Sequence, residues 1–142
     1  MAYQDVETLV LNGESSDVWL TRVEPMDIVE YLGRTEPTHY HPDVIPLICR
    51  YPFEDEEIIT FVCERFVKLM IYSEKYLYQY KDRTDSLIFI AGFLEAAAYT
   101  PAVSQLIFHR NLLLKQGRSD NSAEVLALNH AIAHLYRKKF KI

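Results

Sequence analysis

Apolar positions recur at helical spacing over most of this chain, and that spacing predicts a mainly α-helical protein. On a wheel of 100° per residue, Ile58, Val62, Phe66, Leu69, Tyr76 and Tyr80 share one face of a helix running from Glu54 to Tyr80. Val67, Ile71 and Tyr78 lie on the opposite side, separated by a polar strip of Glu64, Lys68, Lys75 and Gln79. A helix apolar on two sides is either central in a bundle or part of a subunit interface. Centrality is the simpler assignment, and Val67, Ile71 and Tyr78 are the positions an interface would use. Tyr72, Tyr76, Tyr78 and Tyr80 form an aromatic cluster suited to core and rim packing, or to anchoring a partner.

Lys81 to Thr84 breaks the pattern. Ser86 to Tyr99 follows with Glu95 as its sole charge, the signature of a helix buried all round. Thr100 and Pro101 supply a cap and a first-turn proline for a helix reaching Gln116, with Gly117 to end it. The low charge from Ser86 to Phe108 raises a membrane span of ~20 residues as a rival. Gly92, Glu95, Pro101, Ser104 and Gln105 interrupt that run, so two buried helices meeting at Thr100-Pro101 account for it better. A last helix is expected from Asn121, paired with Glu124 in a capping-box-like spacing, almost to the C-terminus. Val125, Leu128, Ile132, Leu135 and Tyr136 make its inward stripe, widened by Leu126, Ala133 and Phe140.

The first third is less regular. Val6 to Leu11 and Val18 to Val23 flank the turn formers Asn12 to Ser16, which predicts a β-hairpin. A short helix from Tyr3 to Leu11, with Gly13 just past its end, is the competing reading. Pro25 to Leu32 reads as two helical turns that bury Ile28, Val29 and Leu32 and stop at Gly33. From Arg34 to Pro52 four prolines, Pro37, Pro42, Pro46 and Pro52, favour extended backbone and mark a connection. The expected architecture is one domain over 1–142: a small N-terminal element (1–33), a proline-rich connection (34–53) and a bundle of about four helices (54–142).

Composition supports a packed core. A 142-residue chain buries roughly 70% of its unfolded surface, and 49% apolar with 13% aromatic residues excludes general disorder. Cys49 and Cys63 have neither the number nor the spacing of a disulfide framework, so unreactive thiols in a reducing compartment are expected. Met1 to Val10 carries Asp5 and Glu7 and lacks the basic and apolar regions of a secretory signal. The expected location is cytoplasmic, or a virion if the protein is viral.

Charge is split along the chain. Residues 1–60 hold thirteen acidic and three basic side chains, and residues 61–142 hold seven and twelve. Such a molecule can associate head to tail or offer different surfaces to different partners. Glu54, Asp55, Glu56 and Glu57 suit a helix first turn, where the dipole favours anions. Arg137, Lys138, Lys139 and Lys141 suit a helix C-terminus and can also meet an acidic surface.

The pattern closest to chemistry is His130-Ala-Ile-Ala-His134, two imidazoles at the i, i+4 spacing that can share a metal ion. It lacks the intervening Glu of a zinc protease. Both histidines fall roughly 130 to 170° from the centre of their helix's apolar stripe, which turns them away from its core. His109, His39 and His41 are the remaining imidazoles that could complete a site. No nucleophile elbow, phosphate-binding loop or dinucleotide fingerprint is present, so no cofactor is expected. The overall acidic balance argues against nucleic acid as a direct ligand.

These observations lead to a non-enzymatic assembly or adaptor subunit, of the kind found among small viral and phage structural proteins. Its partner would be a protein, either a second copy or a larger complex, and no membrane. Val67, Ile71, Tyr78, Arg137, Lys138, Lys139 and Lys141 are the candidate contact residues. Two alternatives follow from the same residues. The acidic first third could imitate nucleic acid for a basic host factor, or His130 and His134 could serve a metal-dependent helical-bundle enzyme.

Overall fold

The computed structural model describes residues 5–72 and 86–141. Among them are eight α-helices: α1 (Val6–Leu11), α2 (Ser16–Arg22), α3 (Pro25–Arg34), α4 (Val44–Arg50), α5 (Glu56–Tyr72), α6 (Ser86–Ala96), α7 (Val103–Lys115) and α8 (Ala123–Phe140). The mainly helical class holds, but four of the eight helices precede residue 54, where a hairpin, one short helix and an extended connection were expected, and no strand occurs among the described residues. The expected continuation of α5 through Lys75, Tyr76, Tyr78, Gln79 and Tyr80, and the break at Lys81 to Thr84, lie outside the described residues.

The predicted hairpin is a pair of helices instead. Asp5 caps α1 by accepting the Glu7 and Thr8 amides on Oδ1 at 3.1 and 3.3 Å, and Ser15 caps α2 by accepting the Val18 amide at 3.3 Å. The turn formers between them close α1: the Gly13 amide donates to the Val10 carbonyl and the Glu14 amide to Leu9, with Gly13 at φ +79°. This left-handed ending is the one that glycine adopts without steric cost. Trp19 is fully buried, and its indole N–H donates to the Val6 carbonyl at 2.9 Å, tying the two short helices together.

In α3 the proline occupies the first helical position, and the Glu24 amide is satisfied by Asp27 Oδ2 at 2.8 Å. The helix runs through Gly33 to Arg34 rather than stopping at the glycine. Ile28 and Leu32 are buried as expected, whereas Val29 is half-buried. The proline-rich connection holds a 3₁₀ turn at Pro37–His39 and the whole of α4, whose Val44, Ile45 and Ile48 enter the core. Pro46 sits third in α4, inside the first turn, where its missing amide would have had no intrahelical acceptor. Four prolines therefore do not prevent a buried helix here.

Asp55 Oδ1 accepts the Glu57 and Ile58 amides at 2.8 and 3.4 Å and starts α5, which buries Val62, Cys63, Phe66, Leu69 and Met70. The last helix is capped by Ser122, not Asn121: the Val125 amide donates to Ser122 Oγ at 3.4 Å. Glu124 instead pairs with Arg118 at 3.3 Å. Helix α8 packs on α6 and α7, α4 packs on α6, and α3 packs on α5. Buried side chains form one continuous cluster from Val6 in α1 to Leu135 in α8. No helix among the described residues is long and apolar enough to cross a membrane.

Candidate functional site

Most polar side chains in the interior are committed to structure, whereas Gln105 Oε1 is buried without a hydrogen-bond partner among the described residues. His109 is fully buried, and its Nε2–H donates to the Met70 carbonyl at 2.8 Å, joining α7 to α5. Tyr40 donates its hydroxyl proton to the Leu32 carbonyl at 2.7 Å and accepts Arg65 Nε at 2.7 Å. Tyr31 accepts the His41 amide at 2.9 Å, and burial pushes its phenol up to about 12. Cys49 and Cys63 are free thiols. Burial pushes Cys63 up to about 12, with Glu64 adding to the effect, and raises Cys49 further. Thiols held protonated in this way are poor nucleophiles at neutral pH.

His130 and His134 do face away from the core of their own helix, with side chains 77% and 44% exposed. They meet Glu95 at the end of α6. His130 Nδ1 lies 2.8 Å from Glu95 Oε1 and 3.0 Å from Oε2, and His134 Nδ1 lies 4.0 Å from the same Oε1. Glu95, the lone charge of the apolar run, is thus a surface partner for two imidazoles. His109 is occupied in the core, and His41 Nδ1 accepts the Asp43 amide at 3.1 Å. No group of three His, Cys, Asp or Glu side chains among the described residues is arranged to hold a metal ion.

The surface carries more information than the interior. Helix α6 was expected to be covered on every side, yet Phe89 is 41% exposed and Gly92 and Ala96 are also exposed. That open side of α6 forms one wall of an apolar hollow of about 450 Å³. The other wall is the segment Tyr51-Pro52-Phe53 with Ile59 from α5. Tyr51 is held in place by donating its hydroxyl proton to the Val23 carbonyl at 2.7 Å. Phe53 packs at 4.8 Å from the Tyr51 ring and edge-on to Phe93 at 6.1 Å between centroids. The same three residues line a second hollow of about 510 Å³, completed by Glu24, Met26, Glu54, Asp55 and Ile58. Tyr51-Pro52-Phe53 is therefore a ridge with an apolar groove on one flank and an acidic groove on the other.

At the far end of the sequence, Arg137, Lys138, Lys139 and Lys141 are all exposed and take part in no ion pair among the described residues. Tyr136 and Phe140 were assigned to the inward stripe and its flank, but they are 45% and 53% exposed, with ring centroids 4.6 Å apart. Leu126 and Ala133 are exposed as well. Of the candidate contact residues on α5, Val67 is half-buried against the core, Ile71 is 44% exposed, and Tyr78 lies outside the described residues.

The groove residues Tyr51, Phe53, Phe89 and Phe93 were not singled out by periodicity. The local signals were there: Phe89 and Phe93 share a face at i, i+4, and Tyr51-Pro52-Phe53 sits between two helices with no helical register of its own. No protein-family model matches this chain, and no similar protein is found among the curated proteins or the solved structures.

Proposed function

We propose that this protein acts through protein contacts, as an assembly or adaptor subunit, rather than through chemistry. One observation carries the reading: an apolar groove with an acidic flank and an exposed aromatic-basic helix end belong to the same chain. Apolar surface in a groove supplies affinity, and unpaired rim charge supplies orientation and encounter rate. The charge split along the sequence becomes, on this reading, two complementary surfaces.

The nucleic-acid-mimic alternative draws on the same carboxylates. Asp5 and Glu14 already pair with Arg34 and Arg22, at 3.4 and 3.2 Å, which reduces the charge available for that role. Absolute mass by light scattering after size exclusion, at low and high salt on untagged protein, tests the assembly reading. A discrete oligomer that loosens with salt supports it, because screening weakens exposed charge pairs. A monomer at every concentration and salt removes self-assembly and leaves a different protein as the partner.

A further inference from the structure

We infer that the C-terminal turns of α8 in one copy dock against the Tyr51–Phe53 ridge of a second copy. The inference rests on the self-assembly reading and names its two surfaces. The receptor side has a divided character. Its apolar hollow exposes Phe89 and is floored by Phe93 and Ile59, whereas its acidic hollow brings Glu24, Glu54 and Asp55 beside the exposed side chain of Met26. Glu24 and Glu54 form no ion pair among the described residues.

The end of α8 has the matching division. Tyr136 and Phe140, one turn apart, present two aromatic rings in tilted contact to solvent, and cations flank them in the sequence. The Lys139 ammonium lies over the Phe140 ring, 5.8 Å from its centroid. Aromatic anchors that enter an apolar groove while cations meet a carboxylate rim are the usual elements of a helix-in-groove contact. Neither hollow is lined by any residue of α8, so this end is not already seated there in its own chain. Arg50 lines the apolar hollow alone and would repel incoming cations there. That repulsion sets the direction of docking: rings toward Phe89 and Phe93, cations toward Glu24 and Glu54. A contact between two different surfaces of one chain is heterologous, so copies either close into a ring or continue as a linear series.

The test reverses charge on each side separately. Glu24→Lys with Glu54→Lys gives one variant and Lys138→Glu with Lys139→Glu gives another; all four positions are exposed, and circular dichroism checks that each variant folds. Light scattering across a concentration series at low salt then reads association. The wild-type chain should associate, and each variant alone should associate about tenfold or more weakly. Mixing the two variants should restore association, since each then offers a surface complementary to the other. Wild-type association that both variants retain would overturn this docking and leave the assembly reading standing. Weakening without recovery on mixing would also overturn it, because the two surfaces would not face one another. A wild-type chain that stays monomeric throughout would overturn the docking and the self-assembly reading together.

Discussion

Arg65 donates from Nε to the Tyr40 hydroxyl at 2.7 Å while its guanidinium lies 5.9 Å from the centre of the Tyr40 ring. A second donor, Nη2, reaches the Thr35 carbonyl at 3.0 Å, and the Tyr40 hydroxyl donates a hydrogen bond to the Leu32 carbonyl. One guanidinium therefore fastens the end of α3 and the turn beyond it to the middle of α5. The same anchoring helps carry the chain toward α4 and the ridge at Tyr51–Phe53.

Removing the hydroxyl tests that anchor. Tyr40→Phe keeps the buried ring but leaves the Leu32 carbonyl and the Arg65 Nε–H without this partner, which should cost about 1–3 kcal/mol. Arg65→Lys should not rescue the site, because an ammonium cannot hold the two acceptors in the planar fork of a guanidinium. Urea unfolding followed by the emission of the single tryptophan, buried Trp19, measures both losses.

Alkaline pH should destabilise the fold. Cys63 is pushed up to about 12 from an ordinary 9.0, and Tyr31 to about 12 from 10.0. Between each pair of values the native state holds a proton that the unfolded chain has released, so stability falls as pH rises. The urea midpoint should be flat up to about pH 8 and decline steadily from about pH 9 upward. Cys63→Ala should make that decline shallower. An equally steep decline in the variant would remove the thiol from the explanation.

Ala98 gives a stabilising prediction. Helices α1, α6 and α7 end alike: Gly13, Ala98 and Gly117 each donate an amide three residues back, and the following residue donates five residues back. Gly13 and Gly117 have φ of +79° and +93°, whereas Ala98 adopts +54° with a Cβ in the way. Ala98→Gly should relieve that strain, less the entropy glycine loses on folding, for a net gain of about 0.5–1 kcal/mol. An unchanged or lowered thermal midpoint would show that the alanine is not strained.

The histidine pair should prove dispensable to stability. His130 and His134 are exposed, so changing both to Ala should shift stability by less than about 1 kcal/mol. Dialysis against a chelator should leave the unfolding midpoint where it was. Stoichiometric zinc that raises the midpoint, and is lost in the double variant, would instead revive the metal-enzyme alternative.

Local sequence was informative wherever a cap or a period decides the outcome by itself. The acidic start of α5, the end of α7 at Gly117 and the buried stripe Val125, Leu128, Ile132 and Leu135 were legible, because each needs only its own helix. Thr100 is not the expected cap, since it and Pro101 form a 3₁₀ turn and α7 starts at Val103 without a side-chain cap. The outward turn of His130 and His134 was legible for the same reason. The hairpin was misread because Asn12 to Ser16 serve equally well to end one helix and cap the next; Trp19 packing on α1 selects the helical outcome. The proline-rich connection was misread because proline is harmful only beyond the first turn, and Pro46 lies within it.

Sequence by itself determined the helical class, the approximate positions of α6, α7 and α8 and the uneven distribution of charge, since these follow from neighbours within a few turns. The tertiary structure decided which apolar side chains stay uncovered. Phe89 belongs to a stretch as apolar as those in the core, and Phe140 continues the flank of the α8 apolar stripe, so local pattern does not mark either as exposed. They remain at the surface because covering a helix face requires a neighbouring element at that position, and the packing of α4, α6 and α8 leaves those faces open.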